Sequence, residues 1–129
     1  MFYVWPIVVA AGNIESNKAR IDMPMSPGVI HQVDIMFPDT CDHDIRVQIF
    51  DASFQLWPSN RDGTVRGDAA VVSFRDFYEM RAENNVLKGV AWLTTASKAG
   101  TIWIQVGVLP RDILQPFSLA ELLRAVRRS

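Results

Sequence analysis

Apolar and polar residues alternate with period two over one short run after another, and clusters of Pro, Gly, Asn, Asp and Ser separate the runs. Successive side chains of a strand point to opposite sides, so this pattern belongs to strands that bury one face. Ile45, Val47 and Ile49 alternate with Arg46 and Gln48 in the cleanest example. Ala19, Ile21 and Met23 alternate with Arg20 and Asp22 until Pro24 and Ser26-Pro27-Gly28 intervene. In the next run Val29, His31, Val33, Ile35 and Phe37 are expected on one face, with Ile30, Gln32, Asp34 and Met36 on the other. A short run over 54–57 enters the turn Pro58-Ser59-Asn60-Arg61-Asp62-Gly63. Runs over 71–74, 77–80, 86–93 and 101–109 follow, the last alternating Ile102, Ile104, Val106 and Val108. Eight or nine strands result, with no helix between them long enough for a parallel crossover. The predicted fold is all-β: an antiparallel β-sandwich of two packed sheets, jelly-roll or immunoglobulin-like. Neither an internal repeat nor an interdomain linker interrupts it.

The two ends depart from this pattern. Residues 1–12 are almost wholly apolar, with Phe2, Tyr3, Val4, Trp5, Ile7, Val8 and Val9. No Lys or Arg precedes the run, Pro6 sits inside it, and it falls short of the roughly 18–20 residues that span a bilayer. An edge strand or arm is expected instead, since proline lacks the N–H that a central strand needs. At the other end, 116–129 reads as a short α-helix. Ser118 and Glu121 form a capping box, Phe117 and Leu122 a hydrophobic staple, and Leu119, Leu122, Leu123 and Val126 one apolar stripe. Arg124, Arg127 and Arg128 suit the negative end of its dipole. So short a helix must dock, on its own sandwich or on a partner chain. The expected division is an N-terminal strand or arm over 1–12, a sandwich body over 13–115 and the capped helix over 116–129.

Composition narrows the function classes. With 129 residues, 49 % of them apolar, the chain can close one core without disulfides or a structural metal. The single cysteine, Cys41, makes no internal disulfide, and a net charge of −1 gives no electrostatic reason to bind nucleic acid or an anionic membrane. No motif with a definite catalytic mechanism occurs, neither a nucleophile elbow, a zinc-protease helix, a dinucleotide fingerprint nor a P-loop. His31 is read as a histidine on a sandwich face, with Asp34 expected on the opposite side. Asp39-Thr40-Cys41-Asp42-His43-Asp44 is read as a capped polar loop; Ca²⁺ on its carboxylates, or Zn²⁺ on Cys41 and His43, is the alternative, though neither known ligand spacing is met. Arg66-Gly67-Asp68 matches an integrin-binding tripeptide and is read as a turn or bulge before a strand. Nothing here raises a paired-carboxylate glycosidase above background. No enzyme and no cofactor are expected.

Four tryptophans remain, Trp5, Trp57, Trp92 and Trp103. Core placement is the default for each; Trp57 stands at a loop entrance and Trp103 alternates with Ile102 and Ile104, so the alternative reading sets at least one of them on the outer surface as a recognition tryptophan. The stretch over 28–78 carries Gly28-Val29-Ile30-His31, Phe37-Pro38, Gln55-Leu56-Trp57-Pro58-Ser59-Asn60, Gly67-Asp68 and Ser73-Phe74-Arg75-Asp76. In these it resembles small β-sandwich proteins encoded among the structural genes of tailed bacteriophages. The resemblance implies a virion component, most of all a capsid decoration (cement) protein that forms a homo-oligomer, trimeric in the leading arrangement, and stabilises the shell. Its partner would be the major capsid protein or another virion protein. A tail or collar accessory protein, or a carbohydrate- or receptor-binding module using Trp57 or Trp103 as stacking platforms, is the alternative. The expected contact residues are Phe2, Tyr3, Trp5, Trp57, Phe117, Leu119, Leu122, Leu123 and Val126.

Overall fold

The computed structural model describes residues 1–39, 43–80, 85–94 and 99–110. The helix expected over 116–129, with Phe117, Leu119, Leu122, Leu123 and Val126, lies outside them, as do Thr40, Cys41 and Asp42 of the acidic loop. The described residues form eight strands: β1 (Phe2–Val9), β2 (Ala19–Met25), β3 (Gly28–Met36), β4 (Ile45–Asp51), β5 (Phe54–Trp57), β6 (Val71–Met80), β7 (Asn85–Leu93) and β8 (Gly100–Leu109). One antiparallel sheet has the order β1-β8-β3-β6 and the other β2-β7-β4-β5. The all-β sandwich read from the alternation is therefore present. The runs over 71–74 and 77–80 join into the single strand β6, and Phe2–Val9 of the N-terminal run form β1, paired with β8.

The pairs β1 with β8, β2 with β7, β3 with β6 and β4 with β5 nest within one another, and β3–β8 and β4–β7 pairings complete the sheets. β3, β8, β4 and β7 are therefore central, which explains their density of β-branched residues. Ile30, Val33, Ile35, Ile45, Val47, Ile49, Ile102, Ile104, Val106 and Val108 all have no exposure and meet between the sheets. Edge strands β1 and β2 each carry a proline, Pro6 and Pro24, which an edge tolerates because one side of it needs no ladder N–H.

Aromatic clusters fill both open sides of the sandwich. Where β1 lies over β2, Tyr3 and Trp5 stack with ring centroids 5.3 Å apart, and the Tyr3 hydroxyl donates to Ser26 Oγ at 3.0 Å. Where β5 meets β6, Trp57 packs against Phe74 at 5.8 Å and against the edge of Tyr78 at 6.1 Å. Trp57 Nε1 donates to Asp76 Oδ2 at 2.7 Å, and the Tyr78 hydroxyl donates to Asp51 Oδ2. Burial, that hydrogen bond and the Asp51 charge push the Tyr78 pKa up to about 12.

Two local departures from simple alternation matter. The register of β3 shifts between Ile30 and Gln32 against both neighbours, so His31 is an extra residue relative to β8. The bulge inverts the phase ahead of it: Ile30 faces the core, and His31 joins Gln32 and Asp34 on the outer face, where Gln32 Nε2 donates to Asp34 at 3.2 Å. The expected placement of His31 beside Val33 and Ile35, opposite Asp34, is thereby corrected. Gln48, on the solvent side of β4, is only 6 % exposed because the turn carrying Gly63 folds over it.

Candidate protein-binding face

β1 and β8 alternate cleanly, so their outward residues can be assigned by register. Ile7 and Val9 of β1 point inward, while Phe2, Val4, Pro6 and Val8 point out; on β8, Ile102, Ile104, Val106 and Val108 point inward and Trp103 and Gln105 out. Pro6 pairs with Trp103, Trp103 with Met36, and Met36 with Val71. Directly paired residues share a face, so these four side chains form an apolar row across the whole sheet. Within it Trp103 is 45 % exposed, Val71 is exposed at the β6 end, and at the other end Pro6 is joined by exposed Val8, the next outward residue of β1.

The next row, Val4, Gln105, Asp34 and Ser73, is mostly polar. Beyond it Phe2 and His31 meet edge to face with centroids 6.0 Å apart, over Gly107. A Cβ on Gly107 would lie 2.8 Å from Phe2 Cε1 and 2.9 Å from His31 Nε2, so the glycine is what lets both rings lie down on the sheet. Phe77, 76 % exposed, extends the same face on β6. Among the described residues, Phe2, Val4, Val8, Val71, Phe77 and Trp103 place six of the ten exposed large apolar side chains on this one face. Scattered exposed apolar residues are ordinary; their concentration on one sheet around a tryptophan makes this face the candidate contact surface.

The structure divides the expected contact residues. Phe2 belongs to the outer face. Tyr3 and Trp5 turn inward and pack, half-buried, against the core at the β1–β2 side. Trp57 is corrected outright: at 3 % exposure, with its indole N–H held by Asp76, it presents no ring face to a protein or a sugar. Pro58, joined to it by a cis peptide bond, begins the loop only after the ring has turned in. Met36, Val71 and Phe77 were missed. Alternation does put Met36 on the outer side of β3, yet only the pairing register brings it to Trp103.

The other sequence candidates occupy structural positions. Gly67 of Arg66-Gly67-Asp68 is buried against Phe37, and a Cβ there would lie 2.9 Å from Phe37 Cδ2, so the tripeptide is not an exposed recognition loop. His43 stands exposed in a turn at φ 61°. Among the described residues no group of three or more His, Cys, Asp or Glu side chains is placed to hold a metal ion. No helix among them is long and apolar enough to cross a membrane. No family model, curated protein or solved structure matches the chain.

Proposed function

We propose that the chain is a jelly-roll structural protein that binds another protein through the outer face of the β1-β8-β3-β6 sheet. Nested pairing of first strand with last, second with seventh, third with sixth and fourth with fifth supports the jelly-roll reading over the immunoglobulin-like one. The observation that carries the binding reading is the row Pro6-Trp103-Met36-Val71 with Phe2, Val8 and Phe77 around it. Tryptophan-centred apolar surface is what a protein contact buries at its middle. Pro6 and Pro24 interrupt two of the edges, which favours contact by the face over addition of a strand to those edges.

The particular role we propose is a virion structural protein, foremost a capsid decoration protein that acts as a homo-oligomer on the shell. Its sequence resemblance over 28–78 supports that choice, and jelly rolls are a recurrent architecture among viral structural proteins. The physics is linkage: a protein that binds the assembled shell and not its loose subunits shifts the equilibrium against rupture. Particles purified on a density gradient and analysed by mass spectrometry test this. The chain is expected at a fixed ratio to the shell protein, and its absence from purified particles would refute the role.

A further inference from the structure

On the opposite side of the sandwich, the outward residues of the β2-β7-β4-β5 sheet follow from its register. Gly89 faces the core, since a Cβ there would meet the side chains of Ile7, Ile21 and Ile104 at 3.0–3.2 Å, so Lys88 and Val90 point out. Arg20 of β2 stands beside Val90, and Phe50 of β4 beside Lys88. Val90 is nonetheless only 3 % exposed, which makes it the floor beneath the longer side chains around it. Above that floor is a pocket of about 260 Å³ whose lining includes Lys18, Arg20 and Lys88. Phe50 and the β4–β5 turn residues Ala52 and Ser53 complete it, and no carboxylate of the described residues takes part.

Three cations therefore share one small pocket on a chain whose net charge is −1. Lys18 Nζ is held 4.3 Å from the ring centroid of Trp92, the next outward residue of β7 after Val90. Arg20 and Lys88 are exposed and make no ion pair among the described residues. Asp22 stands opposite Lys88 in register, yet it forms no part of the lining. Like charges gathered in this way repel one another and attract an anion, and a concave wall focuses their field. A carboxylate would bring only one negative charge. A phosphate monoester brings about −1.5 to −2 at neutral pH and three acceptor oxygens, which the Arg20 fork, two ammonium groups and the Ser53 hydroxyl can share. A single pocket, in place of a basic stripe, suits one such group and not the backbone of a polyanion. We propose that this pocket binds a phosphate group, as the free ion or as the monoester of a small molecule.

Isothermal titration of the full chain with inorganic phosphate and with phenyl phosphate, at an ionic strength held constant with sodium chloride, tests it. Saturable binding of both to one site is expected; a tighter monoester assigns the site to an organic phosphate, and equal affinity assigns it to the free ion. Arg20→Gln and Lys88→Gln, both at exposed positions and checked for folding by circular dichroism, are each expected to weaken binding about fivefold. Lys88→Arg should retain it, and Trp103→Lys on the other sheet should leave it unchanged. Three results would overturn the proposal: no saturable binding of either compound, full affinity in the Arg20→Gln, Lys88→Gln double variant, or a single-stranded oligonucleotide bound through the same two residues in preference to both.

Discussion

Trp103 and Ile104 are neighbours in β8 that the register assigns to opposite faces, and two substitutions separate their roles. Ile104 has no exposure and sits between β1 and β3 in the central strand of its sheet. Ile104→Ala removes three buried carbons, worth about 2.4 kcal/mol at about 0.8 kcal/mol per methylene. The cavity left in a strand held on both sides raises the cost to about 3–4 kcal/mol. Trp103→Lys acts differently, because the lysine stem still covers Pro6 and Met36 while its ammonium stays in water, and the cost should remain below about 1 kcal/mol. Urea unfolding followed by circular dichroism reads both. With a slope of about 1.5 kcal/mol/M, Ile104→Ala lowers the midpoint by about 2–2.7 M and Trp103→Lys by less than about 0.7 M. Equal losses from the two substitutions would refute the assignment of faces, and with it the claim that Trp103 is held for a partner.

Other substitutions test the two sides of the sandwich and one close approach. Trp57→Phe removes the 2.7 Å donation to Asp76 and is expected to cost about 1–3 kcal/mol in thermal or urea unfolding; an unchanged midpoint would count against the buried network. Tyr78, with a pKa raised to about 12 in the fold against an ordinary value of 10, favours the folded state fully below pH 10 and loses that contribution as pH rises toward 12. Tyr78→Phe should flatten the fall in melting temperature over that alkaline range, and an identical slope in the variant would contradict the assignment. Gly67→Ala pushes a methyl to within 2.9 Å of Phe37 and should cost about 1–3 kcal/mol; a neutral result would mean that Phe37 yields freely.

The strands were legible because half-buried strands write their two environments into alternate residues, and β4 and β8 do so without interruption. His31 was misplaced for a definite reason: the bulge at Ile30 and Gln32 adds a residue relative to β8 without a glycine or proline to signal it. Gln48 read as a solvent-facing polar residue, and only the turn through Gly63 folding back over β4 buries it. Trp57 read as the end of a short run at a loop entrance because Pro58 follows; its partners Phe74, Asp76 and Tyr78 come from β6, beyond any local pattern. The outward phase of Trp103 was visible in one strand. The face it centres was not, because Pro6, Met36 and Val71 arrive from three other strands through pairing registers that alternation does not encode.

The central proposal is that the outer face of the β1-β8-β3-β6 sheet binds a protein partner, foremost the shell of a virion. Its most direct measurement is the occupancy of gradient-purified particles assembled with the wild-type chain or with a Trp103→Lys, Met36→Lys double variant of confirmed fold. The wild type should be retained in fixed proportion to the shell protein, and the double variant should remain at the top of the gradient. Retention of the variant at wild-type occupancy would contradict the account.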